Sequence, residues 1–144
     1  MAARWRVLFL CTGNACRSQM AEGWTLHLRG DAIEPFSAGI IAAGLDPLAV
    51  EVMAEAGVDI SGQRSKRVDD LVSFPFDVVV TVCDHARESC PAFPGRTRRV
   101  HRGFDDPPSE TAGMTHAAAL AVYRRVRDEI RAFVETLPEA SKRG

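Results

Sequence analysis

Two short apolar runs, each ending in a cysteine, constrain the fold of this chain more than any other feature. The first spans Trp5–Cys11, and the second, over residues 77–83, contains an unbroken series of β-branched side chains. Such runs, without alternating polar positions, are typical of strands buried on both faces of a parallel sheet. Cys11 and Cys83 are therefore predicted at the carboxyl ends of strands, where open α/β sheets bind their ligands.

Helical segments alternate with these strands. Ser18 is a suitable N-cap for a first helix that closes at Gly30, and Asp46 followed by Pro47 marks the start of a second helix that stops at Gly57. A long last helix is indicated by apolar residues at helical spacing, namely Leu120, Tyr123, Val126, Ile130, Phe133 and Leu137. The pattern therefore predicts strands that alternate with helices, and the helices are expected to cover the sheet.

Weaker segments complete this pattern. Residues 33–37 and 97–101 predict two short strands, residues 67–73 a weak helix, and residues 105–113 a loop rich in proline, glycine and serine. The order predicts an α/β fold in which a four-stranded parallel sheet is flanked by helices on both faces. With 144 residues the chain is long enough for one core and too short for two, so we expect a single domain over residues 1–144.

Charge and composition exclude several classes of protein. The 18 basic and 19 acidic residues give a net charge of -1, which argues against a surface built to bind nucleic acid or anionic lipid. No apolar stretch approaches the roughly 18 residues of a membrane helix, and the apolar residues 7–10 are too few for a signal-peptide core. Four cysteines are too few for a secreted disulfide framework. We expect a monomeric cytoplasmic protein with no nucleic-acid or membrane partner.

The segment between the first strand and the first helix combines a thiol, a turn and a cation. Cys11 is followed by five residues, then by Arg17 and Ser18. We expect the turn to curl into a concave anion site, in which backbone amides and the Arg17 guanidinium bind the oxygens of a tetrahedral oxyanion. The amides belong to Thr12, Gly13, Asn14, Ala15 and Cys16.

The same positive field stabilises a thiolate, which makes Cys11 the candidate nucleophile. Ser18 is expected to hydrogen-bond that sulfur, and Gly13 and Asn14 tolerate the positive φ that a tightly curled loop requires. Composition alone leaves another interpretation open, in which Cys11 is a small core residue, Ser18 only caps a helix and Arg17 is solvated. The spacing of these residue types between a strand and a helix favours the nucleophile.

Cys83 and Cys90, with six residues between them, extend the thiol chemistry. Together with Cys11 they predict a relay that moves oxidation from a buried site to the surface, whereas without the anion site they would read as a core residue and a surface thiol. A zinc site of Cys83, His85 and Cys90 is a third interpretation, but its spacing matches no common zinc framework. Cys16 predicts either a protective disulfide with Cys11 or a packing role.

These residues resemble the signature of the low-molecular-weight tyrosine phosphatase superfamily, a cysteine, five residues and an arginine near the N-terminus. Within it, nearly the whole chain is most similar to the thioredoxin-coupled arsenate reductases. The similarity lies in residues 11–24, in Ser37-Ala38-Gly39, in the Cys83 and Cys90 pair, and in residues 103–107.

The resemblance implies a phosphatase-like fold and reduction of arsenate to arsenite. Cys11 would attack arsenate, Cys83 would attack Cys11 and expel arsenite, and Cys90 would attack Cys83. A Cys83–Cys90 disulfide then remains for thioredoxin to reduce, with no organic cofactor. Because a disulfide requires Cα atoms about 4.4 to 6.8 Å apart, residues 84–89 are expected to rearrange.

The resemblance also points to an acid and to a cation site. Asp106, directly before Pro107, would protonate the oxygen that leaves arsenic, whereas Asp105 is expected to be structural. Some relatives bind potassium beside the anion site. Three of their ligand positions correspond here to Asn14, Glu22 and Ser37, while Lys66 stands at the fourth in place of an acid. We expect the Lys66 ammonium to replace the cation, so that no metal is bound.

Two other functions remain open at this stage. A tyrosine or small-molecule phosphatase would use the same nucleophile and would need no further cysteine. A non-catalytic sensor would bind an oxyanion or arsenite without consuming reducing equivalents. The basic residues 96–102 are expected to protect an edge strand, and no role is predicted for the four histidines, His27, His85, His101 and His116.

Overall fold

The computed structural model describes residues 4–139, which contain one parallel sheet and the helices around it. The strands β1 (Trp5–Cys11), β2 (Ile33–Gly39), β3 (Val78–Thr81) and β4 (Arg98–His101) lie in the order β2-β1-β3-β4. The helices are α1 (Arg17–Arg29), α2 (Pro47–Glu55), α3 (Asp84–Ser89), α4 (Pro107–Glu110) and α5 (His116–Val134), with a 3-10 helix at Val68–Asp70. The predicted α/β fold with a four-stranded parallel sheet is confirmed.

The central strands are covered on both faces. Residues 7–10 of β1 and 78–80 of β3 have no exposed surface, as their continuous apolar runs predict. On one face, Ser37 of β2 donates a hydrogen bond to Glu22 of α1. Since side chains alternate along a strand, Phe36 points to the other face, where it joins a cluster of aromatic rings with Phe74, Phe76 and Phe93.

Helices α1, α2 and α5 pack against one another. The Trp24 indole of α1 is 1% exposed and donates to the Arg127 carbonyl of α5, and the Arg127 guanidinium donates to the Val52 carbonyl of α2. The start of α2 is as predicted: Asp46 accepts a hydrogen bond from the Leu48 amide, and Pro47 is the first helical residue. In the described part of the chain no helix is long and apolar enough to span a bilayer.

Several predicted boundaries were wrong. Helix α1 begins at Arg17, so its N-cap is Cys16, and Ser18 lies inside the helix with its side chain turned inward. The expected helix over residues 67–73 is only the 3-10 turn, and the expected loop over residues 105–113 contains α4. Strand β3 is shorter than residues 77–83, since pairing ends at Thr81. The inward turn of Ser18 has a tertiary cause, since its side chain contacts Cys11 and Asn14.

Gly39, the last residue of β2, lies where this strand passes beside the loop that follows β1. A Cβ atom at this position would collide with the backbone of Gly13, Asn14 and Ile41. Because backbone cannot rotate away as a side chain can, only glycine allows this approach.

We expect Gly39→Ala to lower the free energy of unfolding by at least the roughly 1 to 3 kcal/mol typical of an overpacked site. Gly62→Ala is the matched control, because nothing lies within 4 Å of its Cβ position. Urea denaturation of both variants measures the difference. Equal free energies of unfolding would contradict the proposed collision.

Candidate active site

The candidate site lies at the carboxyl edge of the sheet, between its two central strands. Leu10 of β1 pairs with Thr81 of β3, and the chain continues from both strands in the same direction. Strand order reverses at this point, with β2 on one side and β4 on the other, so a crevice opens between the two exits. Cys11 and Cys83 both lie at this crevice, as the sequence predicts.

The loop after β1 is held open by hydrogen bonds to its carbonyl groups. Amides of residues 40–46 donate to the carbonyl oxygens of Cys11, Thr12, Gly13 and Ala15 at 2.9 to 3.1 Å. Because the C=O and N–H groups of a trans peptide plane point in opposite directions, the amides of these planes face the loop interior. The cavity is lined by Cys11, Thr12, Gly13, Ala15, Cys16, Arg17, Ile41, Ala43, Asp106 and Pro108. This loop, residues 11–17, is called the nest below.

Asn14 supplies the sharp bend of the nest. Its φ is 50°, and it is the only non-glycine residue with positive φ in the described part of the chain. Its side chain accepts from the Lys66 amide (2.8 Å) and the Gln19 amide group (3.1 Å) and donates to Ser18 Oγ (2.9 Å). The expectation of positive φ at Gly13 was wrong. There a Cβ atom would meet Ala43 Cβ at 3.0 Å, so space rather than φ favours glycine.

Ser18 contacts the candidate nucleophile directly. Its Oγ lies 2.8 Å from Cys11 Sγ, and both side chains are buried. Since Ser18 Oγ already accepts a hydrogen bond from Asn14, its own hydrogen is available to donate to the sulfur. A donor aimed at Cys11 Sγ stabilises the thiolate, which is the nucleophilic form.

Arg17 and Asp106 form the opposite wall. The Arg17 guanidinium is held by the Phe104 carbonyl (3.1 Å) and lies 3.4 Å from the Asp106 carboxylate. Asp106 also accepts from Ser109 Oγ at 2.6 Å, so its carboxyl group is fixed above the cavity that Cys11 lines. Asp105 instead binds Arg125 of α5 at 3.1 Å, in line with a structural role.

Cys16 is a poor nucleophile in this environment. Burial, followed by the nearby Asp46 carboxylate and Cys11, raises the pKa of the Cys16 thiol well above its ordinary value. The residue is 4% exposed and packs in the core. Cys11, Cys16, Cys83 and Cys90 all carry free thiols, and Cys16 stays a neutral one.

The second candidate thiol lies beside the nest. Cys83 lies two residues after the end of β3 and is 6% exposed, and its Sγ lies 3.3 Å from Thr12 Oγ1. Cys83 is also the N-cap of α3, where its Sγ accepts from the Ala86 amide at 3.3 Å. The parallel pairing of β1 and β3 thus brings together Thr12 and Cys83, which are 71 positions apart in the sequence.

The third candidate thiol lies at the other end of α3. Cys90 is the C-cap of this helix and is partly buried, and burial raises the pKa of its thiol while Arg99 opposes the effect. The seven steps from Cys83 to Cys90, at about 1.5 Å per residue along a helix, separate their Cα atoms by about 10 Å. That distance exceeds the span of about 4.4 to 6.8 Å that a disulfide bridges.

Behind the nest, the four residues that correspond to a potassium site lie close together. Asn14 accepts from the Lys66 amide, and Ser37 donates to Glu22. Burial raises the pKa of Glu22, which the Ser37 hydroxyl and the Lys66 ammonium partly offset, and burial lowers the pKa of Lys66. The Lys66 ammonium itself donates to the Arg64 carbonyl at 2.6 Å, and its positive charge disfavours an alkali cation beside Glu22.

Two features of the site were missed by sequence reasoning. Ile41, Ala43 and Pro108 form apolar walls of the cavity, with no pattern in the sequence that marks them. His85, for which no role was predicted, places Nδ1 3.2 Å from Thr12 Oγ1. No group of three or more histidine, cysteine or acidic side chains within residues 4–139 is arranged to hold a metal, which counts against the zinc interpretation.

Comparisons with known proteins agree with this geometry. The chain is 50% identical over 136 residues to an arsenate reductase of Halalkalibacterium halodurans, with 94% of this chain and 96% of the relative covered. A solved structure described as an arsenate reductase in the phosphate binding state has a TM-score of 0.74 at 30% identity, covering 95% of this chain and 98% of that one.

A thioredoxin-dependent arsenate reductase of Corynebacterium glutamicum has a TM-score of 0.73 at 26% identity, covering 98% of this chain and 63% of that one. The model of one protein family matches residues 6–143, which is nearly the whole chain and includes the nest and all three candidate thiols. The chain therefore belongs to the low molecular weight phosphotyrosine protein phosphatase family.

Proposed function

We propose that this protein reduces arsenate to arsenite through a relay of Cys11, Cys83 and Cys90. One observation carries the proposal: the Cys83 thiol lies 3.3 Å from Thr12, beside the nest that holds Cys11. A phosphatase needs a nucleophile, an acid and water, and has no use for a second thiol at this position. The arsenate reductase names of relatives covering nearly the whole chain support the same conclusion.

In the first step the Cys11 thiolate attacks arsenic. The nest amides and the Arg17 guanidinium bind the oxygens of arsenate, and Asp106 protonates one oxygen, which leaves as water. Asp106 lies on the rim of the cavity that Cys11 lines, which supports this role. The product is a covalent bond between Cys11 Sγ and arsenic(V).

In the second step Cys83 attacks the sulfur of Cys11. A disulfide forms between Cys11 and Cys83, the bond between sulfur and arsenic breaks, and its electron pair reduces arsenic(V) to arsenic(III), which leaves as arsenite. In the third step Cys90 attacks Cys83, and Cys11 departs as a thiolate. The remaining Cys83–Cys90 disulfide is reduced by a dithiol protein, with thioredoxin the proposed donor in view of the thioredoxin-dependent neighbour.

No organic cofactor is required, since the thiols supply both electrons. The two alternatives differ in what they consume. A phosphatase would hydrolyse phosphate esters without any reductant, and a sensor would bind the oxyanion without turnover. The aliphatic walls at Ile41, Ala43 and Pro108 contain no aromatic ring that could stack on a tyrosyl group, which favours a small inorganic substrate.

The relay is tested by following NADPH oxidation with thioredoxin, thioredoxin reductase and arsenate. We expect Cys11→Ser, Cys83→Ser and Cys90→Ser each to abolish sustained turnover, because each removes one thiol of the chain of exchanges. Hydrolysis of p-nitrophenyl phosphate is the internal control, since of the three thiols only Cys11 is needed for it. Sustained arsenate-dependent turnover in all three variants would rule out the relay. Ester hydrolysis without arsenate reduction in the unaltered chain would favour the phosphatase.

Formation of the Cys83–Cys90 disulfide requires α3 to unwind, because the intact helix holds the two Cα atoms about 10 Å apart. We expect the amides of residues 84–89 to exchange with deuterium faster in the oxidised than in the reduced protein. Mass-spectrometric hydrogen exchange measures this, with α2 as the reference helix in the same sample. Unchanged exchange of α3 after the disulfide has formed would contradict the rearrangement.

Lys66 is proposed to replace an alkali cation behind the nest. We therefore expect arsenate turnover to be unchanged when sodium replaces potassium in the assay, since the Lys66 ammonium already places a positive charge near Glu22. Lys66→Asp removes that charge and adds a carboxylate, so turnover of this variant should fall and become potassium-dependent. Strong activation of the unaltered protein by potassium would count against the proposal.

A further inference from the structure

One threonine hydroxyl connects the buried Cys83 thiol to an exposed imidazole. Thr12 Oγ1 lies 3.3 Å from Cys83 Sγ and 3.2 Å from His85 Nδ1. Cys83 is 6% exposed, whereas His85 lies on the solvent side of the first turn of α3. The three groups form an unbroken path from a sulfur inside the protein to a base in contact with water.

The hydrogen-bonding capacity of the hydroxyl makes this path suitable for moving a proton. A hydroxyl donates one hydrogen and accepts through its lone pairs. When His85 Nδ1 carries no hydrogen, the Cys83 thiol donates to Thr12 and Thr12 donates to the imidazole. Shifting both hydrogens one place converts the thiol and the imidazole into a thiolate and an imidazolium, and the number of bound protons is unchanged.

We propose that His85 accepts the proton of Cys83 through Thr12 and thereby produces the thiolate that attacks Cys11. The S–H bond breaks, an N–H bond forms at Nδ1, and the exposed imidazolium later returns its proton to water. The inference rests on the proposed function for its role in the second step of the relay. His85 does not touch the reacting sulfurs, so it is a positioning residue.

The surroundings of Cys83 favour the charged form once the proton has left. The Ala86 amide at the N-terminus of α3 donates to Cys83 Sγ at 3.3 Å, and the imidazolium would place a positive charge one hydroxyl away. The thiolate formed in this way is therefore stabilised from two directions. A thiol with no such partners is ionised only to a few per cent at pH 7.

Several other charged and titratable groups near this path have partners of their own, and Arg87 and Glu88 lie exposed on α3. On the nest side, Cys11 contacts Ser18, and Arg17 lies 3.4 Å from Asp106. On the α3 side, Asp84 lies 3.3 Å from Nε2 of His101 in β4, whose Nδ1 contacts Thr81 at 2.8 Å. Among these contacts the imidazole of His85 is the base that reaches the Thr12 hydroxyl.

The test compares the alkylation rate of Cys83 in the whole reduced protein with that in His85→Gln, as a function of pH. Iodoacetamide reacts with the thiolate, so the rate reports its population. Trypsin separates the thiols, since residues 68–87 contain only Cys83 and residues 88–96 contain only Cys90. Cys90 is thus an internal reference within each sample.

We expect Cys83 in His85→Gln to lose most of its reactivity near pH 7, because no base then takes the proton of the thiol through Thr12. The difference should vanish as the pH passes about 8.5, where ordinary thiols ionise without help. Glutamine retains hydrogen-bonding groups but accepts no proton, so a purely structural role of His85 would not produce this pH profile. Added imidazole should restore part of the rate in His85→Ala.

His116→Gln is the matched control, because the same change is made on an exposed histidine whose described contact is with Glu51. Titration with inorganic phosphate checks that the nest still binds an anion in each variant. Equal Cys83 alkylation rates in His85→Gln and the unaltered protein, or a ratio that does not vary with pH, would overturn the proposal. A protein with His85-dependent alkylation that releases no arsenite from arsenate would retain the proton path and refute the proposed function.

Discussion

The site depends on one set of backbone hydrogen bonds, those that residues 40–46 make to the carbonyl groups of the nest. These bonds fix the peptide planes, so the amides already face a common point before an anion binds. Binding therefore requires no reorganisation of the loop. They form only because β2 runs parallel to β1 and leaves the sheet beside it, with Gly39 at the closest approach. The geometry of the nest is therefore set by the register of two strands.

The sheet and the nest could be predicted because their signals are local. Continuous apolar runs mark β1 and β3 as buried, and parallel strands must end at a common edge, so the proximity of Cys11 and Cys83 followed from two short segments. The spacing of Cys11 and Arg17 likewise lies within one loop. A feature that depends only on consecutive residues can be predicted without knowing which other parts of the chain pack against it.

Features that depend on distant partners could not be predicted. Serine is a residue type that often caps helices, yet the Ser18 side chain points inward, where it hydrogen-bonds Cys11 and Asn14. The contact between His85 and Thr12 joins residues 73 positions apart, with no periodicity to indicate it. In these cases the local sequence permits several conformations, and tertiary packing selects one of them. The selected conformation therefore cannot be predicted from the local sequence alone.

The six-residue length of α3 has a consequence for how this protein can be altered. Isolated helices shorter than about 12 to 15 residues are marginal in water, so α3 persists only through its contacts with the rest of the fold and costs little to melt. In the proposed relay α3 melts in every catalytic cycle, so a weak helix suits this reaction. Substitutions that stabilise α3 would then raise the thermal stability of the protein and lower its turnover rate. This segment therefore links stability to activity.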